Sequence, residues 1–150
     1  MIEPDPNDAN ATILEPDELW SFVLKKTNRF WIWIALCRKT RHMVSYAIGD
    51  RSKETGKKLW DKIPLAYRSG KCFIDFYSVY KTIIPEDQYY PVGKETSETA
   101  HVERWNNTLR QRLGRFVRET LSFSKSGAMH EICLLLFLHR YNKEKALAFM

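Results

Sequence analysis

Two hydrophobic periods alternate along this chain, and they divide it into strands and helices. Residues 1–11 carry two prolines and three acids with almost nothing to bury, and they read as a disordered lead-in. Thr12–Leu24 is a strand candidate, and Pro16, which cannot donate to a ladder, predicts an edge position or a bulge there. Arg29–Cys37 (Arg-Phe-Trp-Ile-Trp-Ile-Ala-Leu-Cys) is the strongest strand signal, dense in aromatic and β-branched residues. His42–Ile48 follows as another strand, and the polar turn Arg38–Arg41 makes the two a hairpin. Lys53–Ile63 then takes a helical period, with Ser52 as its capping residue and Pro64 as its stop. Lys71–Phe76 is a strand, Tyr77–Ile84 a helix ended by Pro85, and Gln88–Val92 a short strand. The polar stretch Gly93–Thr99 leads into a helix over residues 100–118, whose apolar stripe runs through Val102, Trp105, Leu109, Leu113, Phe116 and Val117. After the serine-rich loop Ser122–Ser126, Ala128–Lys145 is a last helix.

Three antiparallel strands, then helices alternating with strands, then an appended helix predict an α/β fold: a mixed sheet covered by helices. At 150 residues the chain suits one domain with a real core. The net charge of +6, from 24 Lys and Arg against 18 Asp and Glu, favours a polyanionic partner such as nucleic acid. Cys37, Cys72 and Cys133 are far apart and form no CxxC pair, which argues against a zinc ribbon and for buried, reduced thiols. No apolar run approaches the ~20 residues a bilayer span requires, and the acidic N-terminus resembles no targeting sequence. A soluble, cytoplasmic protein is the expectation.

Within that frame the acids carry the chemistry. Glu103 heads a helix that is otherwise basic and amide-rich on its exposed side, with Asn107, Arg110 and Gly114 following it on the same side. Asp17 lies on the first strand and Asp75 near the end of the fourth, where acids from neighbouring strands can meet beneath a leaning helix. Three carboxylates converging from separate elements repel one another unless a cation neutralises them. Oxygen ligation with open positions suits Mg²⁺ or Mn²⁺, and two such ions ~4 Å apart can drive phosphodiester cleavage. Glu18 neighbours Asp17 but points to the opposite face of a strand, so strand geometry admits only one of the two. Asp50, Glu95 and Glu98 fall in turns or loops, where a solvated carboxylate is the ordinary explanation. Trp20, Trp31, Trp33 and Trp105 read as core residues, because base stacking needs exposed rings interleaved with cations.

At these residues the chain resembles the DDE transposases of the insertion-sequence-one type. The resemblance runs through Leu14-Glu15-Pro16-Asp17-Glu18-Leu19-Trp20, Trp31–Cys37, Ala47-Ile48-Gly49-Asp50-Arg51-Ser52, Asp75-Phe76-Tyr77 and Val92-Gly93-Lys94-Glu95-Thr96. It continues in the His101–Arg115 block and in Leu121-Ser122-Phe123-Ser124-Lys125-Ser126. It implies a ribonuclease H-like catalytic domain over residues 12–146 that cuts element ends and joins them to target DNA, using two Mg²⁺ ions (Mn²⁺ as a substitute). The family's acids fall on Asp17, Asp75 and Glu103, and the polar residue one turn after the glutamate falls on Asn107 or Asn106. Lys94, His101, Asn107 and Arg110 are the candidate DNA contacts.

The resemblance also implies a homo-oligomer working on DNA at the nucleoid. Related transposases carry an upstream zinc-binding and helix-turn-helix half, so this chain resembles the catalytic half alone, the product of a second reading frame normally joined by frameshifting. Pro16 departs from the family, which usually has an ordinary apolar residue before the first aspartate. The alternatives are a nuclease of the same fold without strand transfer and an inactive DNA-binding remnant of a decayed element.

Overall fold

The strand Lys25–Cys37 explains the architecture. Ile32, Trp33, Ile34, Ala35, Leu36 and Cys37 are all buried, so the run looks uniformly apolar because both of its faces are covered. A computed structural model of the chain describes residues 4–75, 77–93, 99–112 and 127–148. It shows β1 (Leu14–Val23), β2 (Lys25–Cys37), β3 (Met43–Gly49), α1 (Lys53–Asp61), β4 (Cys72–Ile74), α2 (Val79–Ile83), β5 (Tyr89–Pro91), α3 (Ala100–Arg112) and α4 (Gly127–Ala148). These form a five-stranded mixed sheet in the order β3-β2-β1-β4-β5. β1 pairs antiparallel with β2, and β2 antiparallel with β3, while β4 runs parallel to both β1 and β5.

The period of two along β1 and β2 sorts the core into two layers. Leu14, Trp33, Ala35 and Cys37 pack with Leu59, Ile63, Tyr67 and Tyr80 on the α1–α2 side. Leu19, Ile32, Ile34 and Leu36 pack with Val102, Trp105 and Leu109 of α3 and with Leu134, Phe137, Leu138 and Tyr141 of α4. The turn at the first hairpin is tight: Leu24, alone between Val23 and Lys25, takes a φ of 64°. α4 is apolar around much of its circumference, and Met129, Ile132, Leu135 and Leu136 are exposed. No helix among the described residues is long and apolar enough to cross a membrane.

Two local expectations change. Pro16 predicted an edge or a bulge, yet β1 is the central strand and Pro16 stays in register opposite Ala35. The Leu14 N–H donates to the Lys71 carbonyl at 2.9 Å, on the β4 side. The N–H of residue 16 would face the same side, so the proline costs the sheet only the next β1–β4 bond. That ladder is accordingly limited to the single registered pair Leu14–Cys72. Ser52 stands at the start of α1 but makes no side-chain cap. Asp50 is the stronger acceptor there, with its Oδ1 taking the Ser52 N–H at 3.1 Å and the Thr55 hydroxyl at 2.8 Å.

Candidate active site

β1 carries acids on both faces, and each acid reaches a different set of partners. Continuing the Leu14–Cys72 register by three residues on each strand sets Asp17 beside Asp75, just past the end of β4. Asp17 faces α3: its Oδ2 accepts the Asn106 side-chain N–H at 2.8 Å, and its Oδ1 accepts the Glu18 backbone N–H at 2.9 Å. Glu18 faces the other way. Its Oε1 accepts from Arg51 Nη2 at 2.8 Å, and its Oε2 accepts the Tyr80 hydroxyl at 2.6 Å. Asp75 Oδ1 accepts the Tyr77 N–H at 3.0 Å.

The expectation that opposite strand faces admit only one of Asp17 and Glu18 does not hold. Ligand oxygens of Asp17, Glu18 and Asp75 all lie within 4.8 Å of one another. β4 stops at Ile74, and the carboxylates of both β1 acids reach that of Asp75 just past its end. The crowding shows in the protonation equilibria. Burial, and then the charge of Glu18, push the Asp17 carboxyl up to about 7. Burial also raises Glu18, against the lowering effect of its bonds from Tyr80 and Arg51.

A cavity of about 470 Å³ opens over these acids, and Glu103, Thr99, Asn106, Asn107, Arg51, Trp20 and Trp31 also line it. Glu103 is exposed on the first turn of α3 and accepts the Thr99 hydroxyl at 3.3 Å. It thus faces the same space as Asp17 and Asp75 but is not among the three acids of the tight group. Of the two asparagines, Asn106 is the one bonded to Asp17, while Asn107 is exposed on the cavity wall. His101 lines a separate cavity of about 230 Å³ with Arg41, Arg104, Trp105, Tyr141 and Lys145. Lys94 and the Arg110 side chain lie outside the described residues, as do Glu95, Glu98 and residues 113–126.

Glu15 was not singled out from the sequence, although the signal was there: it lies two residues before Asp17 and therefore on the same strand face. Its carboxylate is fully buried. Oε1 accepts the N–H groups of His101 at 3.2 Å and Val102 at 3.3 Å, two donors of α3's first turn that have no intrahelical partner. Oε2 accepts from Arg38 Nε at 3.2 Å. Burial raises the Glu15 carboxyl in spite of Arg38. One buried acid thereby pins the start of the helix that carries Glu103 and Asn106 to the strand that carries Asp17.

Trp33 and Trp105 are core residues, as expected, but Trp20 and Trp31 are not: both are half-buried and line the cavity. The α1–α2 cover encloses Trp33 fully and Trp31 only in part. Cys37 and Cys72 are buried, and burial pushes the Cys72 thiol up to about 12, which leaves it inert.

The family described as IS1 transposase matches residues 11–143, which include every acid of the cavity. This chain belongs to the IS1 transposase family. It is 34% identical to the insertion element iso-IS1n protein InsB of Shigella dysenteriae, over 87% of this chain and 97% of that protein. The insertion element IS1 protein InsB of Shigella flexneri is 31% identical over 78% of this chain and 86% of its own length. The insertion element IS1 4 protein InsB of Escherichia coli K12 is 29% identical over 78% of this chain and 68% of its own length. In this IS1 transposase a proline stands in the central strand directly before the aspartate that lines the cavity.

Proposed function

We propose that residues 12–146 are a ribonuclease H-like DDE catalytic domain that hydrolyses the phosphodiester at the element's ends and transfers the freed 3′-hydroxyl into target DNA. The observation that carries this reading is the meeting of Asp17, within β1, and Asp75, just past the end of the adjacent parallel β4, with Glu103 of α3 on the same cavity. Transposase family membership supports it independently. In this reading Asp17 and Asp75 would hold the metal ions, with Glu103 as a further ligand from α3.

The donor set fits a hard divalent cation, Mg²⁺ with Mn²⁺ as a substitute, because every charged donor is a carboxylate oxygen. Asp75 Oδ2 makes no hydrogen bond among the described residues, which leaves it open as a ligand atom. When bound, a pair of such ions activates a water or a 3′-hydroxyl and stabilises the leaving oxygen. The chain's own residues prepare the site. Asn106 fixes the rotamer of Asp17, and Glu15 fixes α3 against β1. Tyr80 and Arg51 already hold both oxygens of Glu18, so Glu18 shapes the charge of the cluster while Asp17 and Asp75 remain for the cation. With Asp17 raised to about 7, a neutral solution holds it partly protonated, and Asp17 would have to release that proton to hold a cation.

The test is a cut-and-join assay on labelled element-end duplexes with Mg²⁺ or Mn²⁺. Nicked and joined products from the wild type, both lost in Asp75→Ala, are expected. Cleavage without joining would indicate a nuclease of the same fold, and DNA binding without cleavage would indicate an inactive remnant.

A further inference from the structure

One wall of the cavity carries a cation and two indoles beside Glu18. Trp20 and Trp31 are directly opposite each other in the β1–β2 register, and both line the cavity. Arg51 is the one cationic side chain among the described residues that line it. Its guanidinium carbon lies 4.7 Å from the Trp31 ring centroid and 4.1 Å from that of Tyr77, and the Tyr77 hydroxyl donates to the Arg51 carbonyl at 2.8 Å. Glu18 holds the same guanidinium through Nη2 at 2.8 Å and Nε at 3.3 Å.

These contacts orient the guanidinium without exhausting it. A guanidinium has five N–H donors, and Glu18 engages one at Nε and one at Nη2. The remaining N–H groups make no hydrogen bond among the described residues, and the Arg51 side chain is 44% exposed. A phosphodiester drawn toward three carboxylates meets repulsion unless a fixed cation stands beside them, and a fork of parallel N–H donors matches phosphate oxygens. An indole alongside that fork matches the base of the same nucleotide.

We propose that Arg51 and Trp31 form a subsite for one nucleotide of a DNA strand, with the guanidinium on its phosphate and the indole along its base. Glu18 is then a positioning residue that aims Arg51. The assignment rests on the transposase reading, since it takes the ligand to be DNA. It reverses the expectation that Trp31 is a core residue, and it gives the Glu18–Arg51 pair a role beyond neutralising charge.

The full chain, with Ca²⁺ in place of Mg²⁺ to suppress cleavage, is titrated with a fluorescent thymidine oligomer and with an oligomer of abasic phosphates of equal length. Arg51→Gln is expected to weaken both about tenfold and to lower the salt slope of binding by about one. Trp31→Leu is expected to weaken the thymidine oligomer about tenfold and to leave the abasic one unchanged. Arg51→Lys and Trp31→Phe, which keep charge and packing, are expected to fall in between, and thermal unfolding confirms that each variant is folded. Equal losses on both oligomers for Trp31→Leu, or unchanged affinity for Arg51→Gln, overturn the subsite. If both variants bind and cut like the wild type, the subsite alone fails. If the wild type neither binds nor cuts DNA, the transposase reading fails with it.

Discussion

The two faces of β1 treat their polar residues differently. On the α3–α4 face, each polar side chain ties a helix down: Glu15 holds the start of α3, Asp17 bonds Asn106, and Ser21 bonds the buried His130 of α4. On the opposite face, Glu18 bonds Tyr80 within the core and Arg51 at the solvent boundary, and Trp20 is left half-buried. The first face is a rigid mount that fixes acids relative to one another. The second is an open wall whose cation and rings remain reachable. A cutting site needs both properties: fixed ligands for a metal, and a surface on which a large substrate can settle.

The largest expected effect erases the contrast by removing the acid that the two faces share. Asp75→Asn should lower cleavage by roughly a thousandfold or more, since a lost metal ligand forfeits several kcal/mol of transition-state stabilisation. The same substitution should leave unfolding by denaturant nearly unchanged.

Breaking the rigid face comes next. Glu15→Leu should cost about 3 kcal/mol of stability, because two α3 donors and Arg38 lose a buried acceptor. Chemical denaturation would measure this, and a change under ~0.5 kcal/mol would show that α3 is not tethered there.

A smaller effect is carried by pH. Asp17 binds its proton more tightly in the folded state, with a pKa raised from 3.8 to about 7, than in the unfolded chain. The metal-free protein should therefore lose stability as pH rises from about 4 through 7, by on the order of 1–2 kcal/mol after allowance for screening. Asp17→Asn should flatten that profile, and a profile that is already flat in the wild type would contradict the crowding. Smallest is the open face: Glu18→Gln should change stability by only about 1 kcal/mol, since the amide oxygen can still accept from the buried Tyr80 hydroxyl and the half-exposed Arg51 can turn to water.

Much of this was legible in the sequence because it depends on period and order. The apolar runs place β2 and β3 correctly, and acids on separate strands mark Asp17 and Asp75 as neighbours. What was not legible depends on where a neighbouring strand stops. Strand alternation correctly sends Asp17 and Glu18 to opposite faces, yet the carboxylates of both reach that of Asp75 just past the end of β4 at Ile74. Pro16 suggests an edge until the β4 side of its missing N–H is known. Trp31 reads as core by composition, and only the limited reach of the α1–α2 cover exposes it to the cavity. Glu15 caps a helix whose start lies 85 residues later in the chain, a pairing no local pattern encodes.

The most direct test of the central claim is a Mn²⁺ thermal shift on the wild type and on Asp17→Asn and Asp75→Asn at pH 7.5. A cation held between Asp17 and Asp75 at about a hundred times its dissociation constant should stabilise the wild type by ~2.7 kcal/mol, a rise of several degrees in Tm. Both variants should lose that rise. An equal shift in all three proteins, or none in the wild type, would contradict a metal site built on these two aspartates.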